Sequence, residues 1–206
     1  MKKLFKKLKN KIYEYFAYRD EIDYKAYQYK IDTAAKEIES LEILNFTAKG
    51  FNYIFEDMIL NTTNDLIIFV KNYKSMFDEN KLNWLKLLAR KFDRTGEDII
   101  RIYTYSGESH SQLIKLTQEF NCIYYTPLNF TDDIKANNFI VSDKISYWLE
   151  EHESAKNRTA ISNNIKFKAK VNFKDASKSK ELVQYVNGID KIVRTKLKAN
   201  CLKMEE

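Results

Sequence analysis

Proline occurs once and glycine only four times in 206 residues, so few positions can break or sharply turn the backbone. A loop-rich or low-complexity chain is thereby excluded, and long regular elements joined by polar turns of Asn, Asp, Ser and Thr are expected. Cysteine is also scarce: Cys122 and Cys201 lie far apart, make no metal-ligand spacing and point to a reducing compartment. No apolar run approaches membrane-spanning length. The lysines at the start are not followed by an uninterrupted apolar stretch, because Lys6, Lys7 and Lys9 divide Leu4-Phe5 from Leu8. Neither a spanning helix nor a signal peptide is expected, and the location implied is cytoplasmic. There is no Gly-rich phosphate loop, no H-E-x-x-H and no G-x-S-x-G, so no cofactor and no metal are expected.

What is present is apolar and basic. With 44% hydrophobic and 14% aromatic residues the chain can bury a full core, which implies one domain with one appendage. The formal charge of +6 and a pI near 9.0 favour phosphate-bearing partners or an anionic membrane surface, the alternative being plain solubility. Lys, Asn, Ile and Tyr are overused, as in an AT-rich genome, which inflates any basic or aromatic pattern.

Residues 2 to about 45 lack proline and, with Leu4, Leu8, Ile12 and Phe16 at helical spacing, read as a long helix or a helical pair. Lys2, Lys3, Lys6 and Lys7, followed by Lys9 and Lys11, surround that thin stripe. Such a segment can lie on an anionic membrane, contact nucleic acid, or dock on the domain with its lysines in water. Tyr13, Tyr15, Tyr18, Tyr24, Tyr27 and Tyr29 then suit packing or a protein partner. A buried-face helix is expected over 51–60, and Leu66-Ile67-Ile68-Phe69-Val70 reads as a strand covered on both faces. Asp78 caps a helix carrying Leu82, Leu85, Leu88 and Phe92, with Trp84 and Leu87 widening its face. A strand at 98–104, a helix near 112–120 and a strand at 122–125 ending before Pro127 continue an α/β order with parallel pairing. Phe139 to Asp143 and Ser146 to Leu149 form a hairpin around Lys144-Ile145. Residues 165–173 alternate, with Lys166, Lys168 and Lys170 on one face and Ile165, Phe167, Ala169 and Val171 on the other. Asp175 caps a last helix that buries Leu182, Val183, Val186, Ile189 and Val193. The divisions expected are a helical extension over 1–45, a domain over 46–195 and a tail over 196–206.

The order helix, strand, helix, strand, helix, short strand and F-I-V-x-D hairpin resembles a single phospholipase D-like (HKD) domain over about three quarters of the chain. The resemblance implies an α/β fold with a mixed sheet flanked by helices. In that family the signature is H-x-K-x4-D, in which the His attacks phosphorus, the Lys holds phosphate oxygens and the Asp follows the strand. With the Asp on Asp143, the His position falls on Ala136 and the Lys position on Asn138. Alanine has no nucleophile and an amide supplies no cation, so phosphohistidine chemistry is not expected. Lys135 and Lys144 lie nearby without the motif's spacing. The small Gly-Ser pair of the family falls at about Glu150-Glu151, which either repel phosphate in the old pocket or sit solvated at a hairpin end. Asn172 stands where relatives carry a late polar residue.

The expectation is therefore a non-catalytic binding or scaffold protein on a degenerate phospholipase D-like domain, for which the resemblance implies a homodimer. Nucleic acid is the favoured partner, through Lys166, Lys168 and Lys170. Peripheral membrane attachment, with Lys2, Lys3, Lys6 and Lys7 contacting anionic lipid at the inner membrane face, is the alternative. A phosphodiesterase with a site relocated to His152 and Lys144 is a third reading. His110 and the Asp132-Asp133 pair read as surface features, and a protein partner for the tyrosine-rich segment stays open.

Overall fold

A computed structural model of the chain describes residues 2–37, 40–71, 77–92, 99–105, 109–128, 137–151 and 168–202. The helical start is a pair, α1 (Lys2–Ile22) and α2 (Tyr24–Lys36). Asp23 divides them: its ψ of 83° leaves the helical region, and its side chain accepts the Ala26 N–H at 3.4 Å as the cap of α2. There follow β1 (Ile43–Asn45), α3 (Ala48–Leu60), β2 (Leu66–Val70), α4 (Glu79–Phe92), β3 (Ile100–Thr104), α5 (Ser111–Glu119), β4 (Ile123–Pro127), β5 (Phe139–Ser142), β6 (Ser146–Glu151), β7 (Lys168–Asn172) and α6 (Ala176–Leu202).

The strands form one mixed sheet in the order β1-β7-β6-β5-β2-β3-β4. The β2-β3-β4 segment is parallel and the other pairings are antiparallel. Strand alternation sends Leu66, Ile68 and Val70 into the larger core with α2, α3, α4 and α5, and Ile67 and Phe69 into a second core under α6. That two-sided burial is why the apolar run of β2 is unbroken. Asp78 and Asp175 accept the Lys81 and Lys178 N–H groups at 3.0 and 2.9 Å and start α4 and α6. The β5-β6 turn places Asp143 and Lys144 at φ of 55° and 59°, with Ile145 N–H donating to the Ser142 carbonyl at 3.1 Å. These paired positive φ values match the twist of a hairpin.

Several sequence expectations are modified. Ile43–Asn45 is an edge strand on β7, and Tyr27, Ile31 and Ala34 of α2 lie in the main core, so the division expected at 45 runs through the sheet. A three-residue strand has no periodicity to read; its neighbours create it. The last helix continues past 195 to Leu202. Leu87, expected to widen the core face of α4, is 53% exposed, whereas Trp84 packs at 6.2 Å from Phe55. The tyrosine-rich stretch divides: Tyr27 is buried, Tyr18 and Tyr24 stack edge-on to Phe46 and Tyr53, and Tyr13, Tyr15 and Tyr29 are exposed.

Candidate functional site

The carboxyl ends of β2 and β3 meet the amino end of β5, the side of an open α/β sheet where ligands bind. Asn138 stands there, immediately before β5, and is 2% exposed. Its Oδ1 accepts the Lys71 N–H at 2.6 Å and the Tyr105 hydroxyl at 2.7 Å, and its Nδ2 donates to Glu150 Oε2. The Glu150 N–H donates back to the Asn138 carbonyl at 2.8 Å. The amide is therefore spent on internal partners, and a carboxylate stands beside it. A phosphate about 4 Å from that charge would be repelled by about 4 kcal/mol at an effective dielectric of about 20. Ala136, the other position that the resemblance aligns with the family's signature, lies outside the described residues, as do Lys135, Asp132, Asp133 and His152.

Asp143 sits at the far end of β5. Five residues at about 3.3 Å each separate it from Asn138 by roughly 16 Å, too far to share one phosphate. Its carboxylate is filled locally, accepting the N–H groups of Thr63, Asn64 and Asp65 at 3.0, 2.7 and 3.1 Å and the Thr63 hydroxyl at 2.9 Å. It ties the β5-β6 turn to the loop between α3 and β2. Asn172 is buried and local as well, its amide donating to Ser40 Oγ at 2.7 Å and accepting the Lys174 N–H.

Beside this turn, α2, α3 and β5-β6 enclose a cleft of about 520 Å³. Asp32 and Asp57 face it with Lys36 and Lys174. Burial, joined by repulsion from Asp32, raises the Asp57 pKa to about 6 against a hydrogen bond from Asn61 Nδ2 at 2.9 Å. Tyr53 donates to Asp32 at 2.6 Å.

The lysines of β7 are engaged. Lys166 lies outside the described residues; Lys168 pairs with Glu14 at 2.8 Å and Glu151 at 3.3 Å, and Lys170 pairs with Glu151 at 3.1 Å and Glu42 at 3.2 Å. Burial acts to lower both ammonium pKa values, but hydrogen bonds and charge from these carboxylates outweigh it and both are raised. The alternation expected for the strand holds at Lys168 to Val171, yet the cations face carboxylates, not open solvent. Glu150 and Glu151 thus divide by alternation, one to Asn138 and the other to the lysines. Glu14 and Glu42 were not foreseen, since nothing local to β7 signals partners supplied by α1 and the α2-β1 connection.

Lys2, Lys3, Lys6 and Lys7 all lie in α1, and Lys6 and Lys9 are exposed. Lys144 is exposed and lies 3.5 Å from Asp65. His110 is the residue before α5, edge-on to Phe77 at 5.7 Å, with burial lowering its pKa. Among the described residues no three His, Cys, Asp or Glu side chains are grouped to hold a metal, and no helix is long and apolar enough to cross a membrane.

No protein-family model matches the chain, and no curated protein matches its sequence. Solved structures do. TrmBL2, an archaeal chromatin protein that binds DNA, superposes with a TM-score of 0.54 at 11% identity over 92% of this chain and 67% of its own. NucT from Helicobacter pylori gives 0.51 at 10% identity, covering 74% of this chain and 97% of its own. Nuc, a phospholipase D family member from Salmonella typhimurium, gives 0.47 at 11% identity, covering 71% and 91%. At such identities the likeness to TrmBL2 and NucT is one of fold alone, and the fold is the expected α/β one, a mixed sheet of seven strands flanked by helices.

Proposed function

We propose that the chain is a non-catalytic phospholipase D-like binding protein that engages a phosphate-bearing polyanion on its surface, outside the closed pocket. The observation that carries this reading is Asn138, buried and held by Lys71, Tyr105 and Glu150 where the family resemblance would have a phosphate-binding lysine. A nucleophile and a free cation are both needed for phosphoryl transfer through histidine, and neither Ala136 nor Asn138 supplies one.

Charge indicates where the polyanion is met. The first eleven residues hold six lysines and no carboxylate, while the whole chain has 35 basic and 29 acidic residues. The remainder therefore carries 29 of each, and the entire +6 belongs to the amino-terminal half of α1. Lys168 and Lys170 are neutralised by Glu14, Glu42 and Glu151, so α1 is the better candidate surface. Nucleic acid meets this description, and the fold is one used by DNA-binding TrmBL2. The two-fold dimer implied by single-motif relatives is part of the proposal and is checked by sedimentation at several concentrations.

The test is anisotropy of labelled single-stranded and duplex DNA at low and moderate salt, alongside anionic vesicles as a second polyanion. Binding to either that weakens steeply with salt, and falls in a Lys6→Glu/Lys9→Glu variant, is expected. An absence of binding to both at low salt would refute the surface assignment.

A further inference from the structure

We propose that α1 lies on an anionic lipid bilayer surface, its outward face entering the headgroup boundary; this rests on the reading above that α1 is the anion-contacting element. Two independent features of the helix carry the inference. The first is how α1 is attached. Glu14 pairs with Lys168, Ala17 is buried with Leu44 and Phe46, and Tyr18 stacks edge-on to Phe46 at 6.3 Å. Glu21, 3% exposed, accepts the N–H groups of Phe46 and Thr47 at 2.7 and 2.9 Å and the Asn45 amide at 2.8 Å. At about 100° per residue, positions 14, 17, 18 and 21 form one face of the helix.

The second feature is what lies roughly opposite. Ile12 and Phe16 fall on the far side and are 51% and 52% exposed, with Tyr15 and Tyr13 on the two flanks 48% and 56% exposed. In the sequence this apolar repeat continues at every fourth residue through Leu8 and Leu4, among the six lysines. Lys6 and Lys9 are exposed, and neither they nor Lys11 make an ion pair among the described residues.

Three occupants compete for such a face. Nucleic acid would use the lysines but gains little from an exposed isoleucine among the rings. A second copy of the chain would cover the apolar residues but bring two segments of like charge together. An anionic bilayer satisfies both sets at once: apolar side chains enter the acyl boundary, tyrosines sit at headgroup level, and lysines meet lipid phosphates. The helix, about 31 Å long from its 21 residues, lies in the plane and does not span.

The experiment is flotation of the full chain with vesicles of phosphatidylcholine alone or mixed with phosphatidylglycerol. Three forms are compared: wild type, Ile12→Glu/Phe16→Glu and Lys6→Glu/Lys9→Glu. Both pairs are exposed, and circular dichroism confirms that each variant folds. Wild type is expected to bind only the anionic vesicles. The Ile12/Phe16 variant should bind them on the order of a hundredfold more weakly, and the Lys6/Lys9 variant more than tenfold more weakly. No binding to anionic vesicles, or binding indifferent to the Ile12/Phe16 change, overturns the lipid assignment. DNA binding in the same buffer that depends on Lys6 and Lys9 but not on Ile12 and Phe16 would overturn it while leaving the polyanion reading standing. Failure to bind DNA or vesicles overturns both, and a concentration-dependent dimer lost in the Ile12/Phe16 variant without vesicle binding assigns the face to a second copy instead.

Discussion

Replacing Asp57 by Asn should stabilise the protein at neutral pH and leave it unchanged in acid. The side chain faces the cleft between α2, α3 and the β5-β6 turn, where burial first and Asp32 second raise its pKa from 3.8 to about 6. At about 1.4 kcal/mol per pH unit that rise corresponds to about 3 kcal/mol, reduced to about 1–2 kcal/mol by the opening of the cleft to solvent. The sign follows from linkage. Because the folded state holds the Asp57 proton more tightly than the unfolded chain does, this contribution is fully present below about pH 4 and is lost as pH rises through about 6. Asparagine cannot ionise, yet its Oδ1 still accepts from Asn61 Nδ2, so the contact at 2.9 Å survives. Urea denaturation at pH 4 and pH 7.5 reads the difference directly. A variant less stable than wild type at pH 7.5, or a stability gain equal at both pH values, would refute the reasoning.

Gly50→Ala should cost about 2–4 kcal/mol in the same assay, because the added Cβ would lie 2.2 Å from Glu21 Oε1 and 2.8 Å from Asn45 Nδ2 and would break the acceptor set of a buried carboxylate. An unchanged midpoint would contradict the close packing of α1 on β1 and α3. Asp143→Ala should cost about 1–3 kcal/mol by releasing the N–H groups of residues 63 to 65, and its effect should appear in stability before any binding assay responds. Lys144→Gly relieves the left-handed backbone at φ 59° and should gain up to about 1 kcal/mol; a loss would show that its contact with Asp65 matters more. Lys168→Ala leaves Glu14 without its cation and should loosen α1, seen as faster hydrogen exchange of α1 amides with little change in β5.

The fold was legible where burial pattern and caps are local. The run Leu66 to Val70 could only be a strand covered twice, and Asp78 and Asp175 announced α4 and α6 before any packing was known. β1 was not legible, because Ile43, Leu44 and Asn45 become a strand through pairing with residues 169 to 171. The site divides in the same way. Asn138, Asp143 and the Glu150 carboxylate are all marked by a single short hairpin, but the Tyr105 hydroxyl that also closes on Asn138 comes from the residue after β3. Lysine alternation on β7 is visible and its consequence is not: one of the two carboxylates that meet Lys168 arrives from Glu14, 154 residues earlier. Sequence spacing reports which face a cation occupies, and only the fold reports what stands opposite it.

Hydrolysis of bis(p-nitrophenyl) phosphate and of labelled DNA by the purified chain tests the closed pocket most directly, with Asn138→Ala as the control variant. Asn138→Ala opens the network without removing a charge, so folding is checked by circular dichroism in parallel. The closed-pocket account expects no turnover above buffer from either form. Turnover by the wild type that disappears in a folded Asn138→Ala protein would contradict it, and would make Asn138 and Glu150 members of an active site.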